Sequence, residues 1–128
     1  MRDDLIDSTD FVPTIMQAAG ARLPAGVSFD GRSFLPQVRG APGNPRQWVY
    51  WWYDPKPGHG KAEYARTRFA RDRRYKLSDD GRLYDAERDD EETRPIARGQ
   101  GGAEAERSRA ALERVLRDMR RQEDAAAR

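Results

Sequence analysis

Apolar residues fall in short clusters separated by long polar stretches, and the clusters differ in period. In residues 9–20, Thr-Asp-Phe-Val-Pro-Thr-Ile-Met-Gln-Ala-Ala-Gly, the apolar positions Val12, Ile15, Met16 and Ala19 recur as i, i+3, i+4, i+7, one face of a helix. Thr9 or Asp10 is a suitable N-cap, Pro13 falls in or next to the first turn, and Gly20 sits where a C′ residue belongs. By periodicity alone the stripe is core. Residues 21–47 carry Pro24, Gly26, Gly31, Pro36, Gly40, Pro42, Gly43 and Pro45, which predicts mostly loop with a helical turn or two in 33–38. A loop of that length is expected in a compact domain only where it wraps a larger neighbour.

The period then changes. Residues 48–53, Trp-Val-Tyr-Trp-Trp-Tyr, are β-branched or aromatic with no polar alternation, the pattern of a strand covered on both faces. After a Pro/Gly loop at 54–61, residues 65–71, 74–77 and 82–86 read as three further strands. Ser78-Asp-Asp-Gly81 is the tight turn between the last two. Residues 98–102 break the pattern. From 103 to about 123, Leu112, Val115, Leu116 and Met119 form one helical stripe, Glu113 supports Arg117 at i, i+4, and the other faces are charged. The apolar stripe is too short for a coiled coil, and residues 124–128 are expected to fray. The fold class is α+β: a small four-stranded antiparallel sheet with a C-terminal helix, preceded by the 9–20 helix.

Composition narrows the function classes. At 128 residues there is room for one modest core, and charged residues make up 36% against 37% hydrophobic. Residues 1–7 lack the apolar stretch of a secretory leader, and no apolar run approaches the roughly 20 residues of a membrane span. Without cysteine there is no disulfide framework, thiolate metal site or Cys nucleophile. His59 is the one histidine, which excludes multi-His zinc motifs and argues against a His-based triad. The charges are segregated. Residues 61–76 hold seven bases (Lys61, Arg66, Arg68, Arg71, Arg73, Arg74, Lys76) against Glu63 and Asp72, whereas 78–93 hold eight acids against Arg82 and Arg88. Such blocks neutralise one another across strands or in a folded-back tail. Of 24 basic residues only Lys56, Lys61 and Lys76 are lysine. An Arg excess suits tetrahedral oxyanions, and a GC-rich coding sequence produces the same bias.

Candidate chemistry is sparse. His59 and Lys61 project from Pro57-Gly-His-Gly-Lys61, where the glycines serve either a close approach to an anionic ligand or a solvated turn. Phosphate-loop spacing is absent. Residues 85–92 lack calcium-loop spacing and read as a solvated turn. Asp3, Asp4, Asp7 and Asp10 complement a helix N-terminus better than a metal. Tyr64, Phe69 and Tyr75 interleave with bases as in single-strand nucleic-acid binding, but no recognition signature accompanies them and the acidic block would repel phosphate.

Four segments in order resemble the C-terminal part of the arylsulfatase-type sulfatases, of the alkaline-phosphatase-like superfamily. Asp10-Phe-Val-Pro-Thr-Ile-Met-Gln-Ala-Ala-Gly20 is similar to the family's Asp-x-x-Pro-Thr helix, and Asp30-Gly-Arg-Ser-Phe-Leu-Pro36 to its Asp-Gly-x-Ser turn. Val49-Tyr-Trp-Trp-Tyr53 resembles its aromatic strand. Arg71-Asp-Arg-Arg-Tyr-Lys-Leu77 with Gly81-Arg-Leu-Tyr-Asp85 resembles its Arg-Tyr-Lys hairpin. The chain departs at Asp89-Asp90-x-Glu92, where Asp-Pro-x-Glu is usual, and at Arg94-Pro95-Ile96, where Asn-Leu is common.

The resemblance implies that 1–47 are the tail end of a catalytic domain, 48–123 the C-terminal subdomain, and 124–128 a tail. It implies sulfate-ester hydrolysis by a formylglycine made from Cys or Ser in Cys/Ser-x-Pro-x-Arg, with calcium held by an Asp/Asn set. None of Ser8, Ser28, Ser33, Ser78 and Ser108 begins that motif, and Asn44 is the only asparagine. Nucleophile and calcium are therefore expected in a catalytic half outside this chain, which is expected to be inactive alone and to leave the apolar face of 9–20 and the aromatic strand partly uncovered. No catalytic or metal residue is assigned here. Asp54, His59 and Lys61 are the expected contacts to a sulfated sugar or aryl sulfate at the cleft rim. The expected partners are that substrate and the catalytic domain, with no membrane and no nucleic acid. Complete family members are often exported, so the sequence leaves location open. The alternative from another class is a small Arg-rich module that binds anionic polysaccharide or nucleic acid.

Overall fold

The carboxylate of Asp10, 1% exposed, organises the start of the chain. The computed structural model describes residues 3–22, 25–54 and 66–126, in two compact units, Met1–Val49 and Tyr50–Arg128. In the first, Asp7 caps a 3₁₀ turn, Ser8–Asp10, by accepting the Thr9 N–H at 2.9 Å. Asp10 returns the favour by accepting the Asp7 N–H at 2.9 Å, a reciprocal capping box. The turn continues into α1 (Phe11–Ala18). Asp10 also receives Arg46 Nε at 2.6 Å, Arg46 Nη2 at 2.5 Å and the Arg32 N–H at 2.8 Å. Burial opposes its charge, but these donors outweigh the opposition and hold the carboxyl below the usual range.

Thr14 extends the network to α2 (Leu35–Val38): its hydroxyl donates to the Asp10 carbonyl at 2.6 Å and accepts the Phe34 N–H at 3.0 Å. The Gly31 backbone runs so close that a Cβ there would lie 1.9 Å from the Thr9 carbonyl oxygen. Polar bonds, rather than an apolar core, thus tie the long loop down. Periodicity alone makes the stripe core, and that reading is corrected, whereas the uncovered face that the resemblance implies is what is found: Val12 is 50% and Ile15 63% exposed, while Pro13 and Thr14 are buried. The Asp10 and Thr14 bonds turn that side of α1 inward and leave the apolar stripe uncovered.

In the second unit β1 (Val49–Tyr53), β2 (Thr67–Arg71), β3 (Tyr75–Ser78) and β4 (Leu83–Asp85) form a four-stranded sheet in sequential order. β2 and β3 pair antiparallel with Ala70 opposite Leu77, and β3 and β4 with Leu77 opposite Leu83. Alternation sends Ala70, Tyr75, Leu77 and Leu83 to one face, where α3 (Gly102–Ala126) covers them with Ala105, Leu112 and Leu116. Each buried leucine contributes about 2 kcal/mol of transfer free energy. At the β3–β4 turn Gly81, with φ +88°, donates to the Ser78 carbonyl at 2.9 Å.

The charge blocks meet as expected: Arg74 reaches Asp85 across β3 and β4 at 2.8 Å and Glu104 of α3 at 2.8 Å, and Lys76 reaches Glu92 at 2.5 Å. Three sequence expectations need correction. α3 runs to Ala126 rather than 123, because Glu123 is anchored by Tyr50 and Arg68. β1 is not covered on both faces, as its pattern suggests, but partly uncovered, as the resemblance implies: Trp51 is 55% exposed, and Trp52 and Tyr53 are exposed too. Asp89 is buried rather than solvated, accepting the Thr93 N–H, the Thr93 hydroxyl and the Arg94 N–H at 2.8–3.1 Å; the Arg94 N–H leads in lowering its pKa.

Candidate functional site

Of the three residues the sequence singles out, the structure places one. Asp54 follows β1 directly and forms an ion pair with Arg66 at 2.9 Å, immediately before β2. These are the described residues on either side of 55–65, so the two ends of that segment are held together. His59 and Lys61 lie outside the described residues.

Next to Asp54, β1 is locked to α3 from its inner face. The Tyr50 hydroxyl donates to the Glu123 carboxylate, and Arg68 donates to the same carboxylate from Nε at 3.0 Å and Nη2 at 2.9 Å. Burial, reinforced by the bond to Glu123, pushes the Tyr50 phenol up to about 12. The Arg68 guanidinium also lies over the Trp52 ring at 5.5 Å.

The opposite face of the sheet carries an aromatic and cationic row. Trp51 of β1 packs on Phe69 of β2 with centroids 5.9 Å apart and planes tilted by 34°. Lys76 of β3 places Nζ 4.1 Å from the Phe69 centroid. Arg71 stands opposite Lys76 in the register, and its side chain donates to the Asp72 carbonyl at 3.3 Å. Among the described residues, Arg71 pairs with no carboxylate. Sequence reasoning picked out Phe69 among the bases of this strand, as a nucleic-acid pattern, but did not join it to Trp51 and Arg71. The signal was there: Phe69 and Arg71 are two residues apart, hence on one face, and the charge-block view treated Arg71 as one base among seven.

A groove of about 550 Å³ runs beside α3, between Leu77 and Leu116 on its floor and Arg98, Arg117 and Arg120 at its rim. Two of its cations are spoken for, Arg98 by Glu113 and Arg120 by Asp79. Among the described residues no three of His, Cys, Asp and Glu come together to hold a metal ion. The described residues thus do not fit the calcium site that the resemblance implies. Among them, too, no helix is long and apolar enough to cross a membrane.

Residues 1–122 match the family described as N-sulphoglucosamine sulphohydrolase, C-terminal. No curated protein matches the chain. Solved structures are similar to this chain, among them the following three. One, described as a sulfatase from Bacteroides thetaiotaomicron VPI-5482, is 26% identical with a TM-score of 0.64 over 93% of this chain and 26% of its own. BT1596, a 2-O GAG sulfatase, is 26% identical with a TM-score of 0.53 over 91% of this chain and 23% of its own. BT4656, in complex with its substrate D-glucosamine-2-N,6-O-disulfate, is similar in fold at 24% identity, with a TM-score of 0.62 over 88% of this chain and 23% of its own. The chain spans about a quarter of the length of each of these three structures.

Proposed function

Because this chain belongs to the N-sulphoglucosamine sulphohydrolase C-terminal family, we propose that it serves as the C-terminal subdomain of a sulfatase that hydrolyses sulfate esters of sugars. The observation that carries this reading is the match of residues 1–122 to a sulfatase C-terminal family, on a chain that spans about a quarter of each similar sulfatase structure. A sulfated sugar is favoured over an aryl sulfate by the ligand of BT4656. Sulfuryl transfer needs a strong nucleophile and fixed positive charge around the departing ester. In this proposal formylglycine and calcium supply both from a catalytic portion outside these residues, so the 128 residues are inactive alone. Their part is to shape the cleft rim through 54–61, where Asp54 and Arg66 close the base of the segment and His59 and Lys61 contact the sulfate ester.

The stand-alone Arg-rich module is disfavoured as a phosphate binder, because Arg66, Arg68, Arg74 and Lys76 are each paired with a carboxylate.

The test is to read the DNA upstream of Met1 and to assay the chain on 6-sulfated glucosamine. The expected results are an upstream frame encoding Cys/Ser-x-Pro-x-Arg, and no sulfate release by the chain itself. Turnover by the 128 residues alone, or unrelated upstream sequence, overturns the reading.

A further inference from the structure

We propose that the sheet face opposite α3 is a binding surface for a sulfated saccharide, with Trp51 stacking on a sugar ring and Arg71 receiving its sulfate. Among the described residues the surface is open over β1 and β2. Toward β4 it is closed, since Tyr84 is buried and Lys76 is tied to Glu92. Over β1 and β2 it exposes Trp51, backed by Phe69, which fixes the indole as a platform.

Two features of this opening select the ligand. The face of an aromatic ring is the negative end of its quadrupole, so it attracts the polarised C–H bonds lining one side of a pyranose. Arg71, two residues beyond Phe69 on the same face, lies about 7 Å farther along the strand, the reach of a sugar ring plus its ester group. Its fork matches a tetrahedral oxyanion, and no carboxylate among the described residues competes for it. An apolar protein cover would strip water from that guanidinium and return no acceptor, which is costly. A sulfated sugar satisfies ring and cation together.

Only the choice of sugar class rests on the function proposed above. Binding by this chain requires no catalysis, so its failure is read separately from the failure of that proposal. The experiment titrates the full chain with a 6-sulfated N-acetylglucosamine disaccharide, its unsulfated parent and a short single-stranded DNA, following chemical shifts and heat. The sulfated sugar is expected to bind at least about tenfold tighter than the unsulfated one. Trp51→Ala is expected to weaken both sugars about tenfold while Trp51→Phe retains most of the affinity. Arg71→Ala should remove the preference for sulfate, and Arg114→Ala, on the exposed side of α3, should change nothing. Urea midpoints of all variants separate lost binding from lost fold. Absence of saturable binding by either sugar, equal affinity in the wild type and the Trp51→Ala and Arg71→Ala variants, or tighter binding of DNA overturns the proposal.

Discussion

Arg109 is 2% exposed, and its Nη2 donates to the carbonyl of Ile96 at 2.6 Å. Its Nη1 reaches the Gly81 carbonyl at 3.2 Å, so one side chain of α3 fastens the β3–β4 turn and the 96 segment to the core. Ile96 in turn donates its N–H to the Leu83 carbonyl at 2.7 Å. Replacing Arg109 with Met removes the buried donor that serves both carbonyls, the half-buried Ile96 and the exposed turn residue Gly81. The expected cost is about 3 kcal/mol, read as a lower urea midpoint with an unchanged slope. Arg109→Lys should rescue little, since a single ammonium does not span both carbonyls. A midpoint within error of the wild type would show that water replaces the guanidinium at no cost.

Arg109 also marks where the sequence stops being readable. The helix was legible from Leu112, Val115 and Leu116, but Arg109 looks the same as Arg107 or Arg114 in a chain where most helix positions are charged. What distinguishes it is a pair of carbonyls brought there by residues 81 and 96, a nonlocal fact. The strands were legible because alternation and the Asp80-Gly81 turn are local signals: the observed β2 and β4 fall within the expected spans, and β3 runs one residue past its own, to Ser78. The fate of an apolar stripe was not legible from periodicity. Val12 and Ile15 have the right spacing for a core, yet Asp10 and Thr14 decide which side of α1 turns inward. Of the candidate site, Asp54 could be placed, while the pairing that fixes it comes from Arg66, twelve residues on, which nothing in the local pattern announces.

Acid should loosen the first unit through Asp10. Its carboxyl titrates below its usual value in the folded chain, so the unfolded chain binds the proton first as pH falls. The stabilisation is therefore complete above about pH 5 and is lost as pH drops through the lowered folded value. Asp85 and Asp89 of the second unit shift in the same direction and give that unit the same sense of acid sensitivity. Asp10→Asn leaves Arg46 buried without its counter-charge and should cost about 3 kcal/mol near neutrality. Hydrogen exchange at the Arg32 and Asp7 amides reports this directly: both are expected to lose protection in the variant and, in the wild type, below about pH 4.

The uncovered face of α1 carries a solubility prediction. Phe11, Val12 and Ile15 are all at least half exposed on a helix whose buried positions are Pro13 and Thr14. Exposed apolar patches bind dyes and other copies of a chain. The wild type is expected to bind an apolar dye and to show a concentration-dependent sedimentation coefficient. Ile15→Asp with Val12→Lys should suppress both without lowering the urea midpoint. A wild type that stays monomeric and dark to the dye would show the face to be harmless.

Tyr50 provides an alkaline counterpart. With its phenol raised to about 12, the folded chain keeps a proton that the unfolded chain releases near 10. Stability should therefore fall as pH rises from about 10 to 12, because the unfolded state binds fewer protons there. Ultraviolet titration of the phenolates is expected to show Tyr50 titrating late, with Tyr75, which burial also raises, above the usual value as well. Glu123→Gln should bring Tyr50 part of the way back, burial remaining, and should release Arg68 as well. If every tyrosine titrates near 10 in the folded wild type, the bond to Glu123 does not persist in solution.

The rim itself is best tested in a complete enzyme. Grafting 54–66 of this chain into a sulfatase of the same family keeps the closing pair of Asp54 and Arg66 at the base of the segment. Asp54→Ala should loosen that base and raise KM with little effect on kcat, since the side chain acts through the segment rather than on the ester. His59→Ala and Lys61→Ala are each expected to lower kcat/KM for a sulfated sugar by about tenfold, the loss of one charge-assisted contact. The loss should shrink for an uncharged competitor that fills the same cleft. Unchanged kcat/KM in both variants would move substrate recognition away from 54–61 altogether, and leave the Trp51 and Arg71 face as the part of this chain that meets sugar.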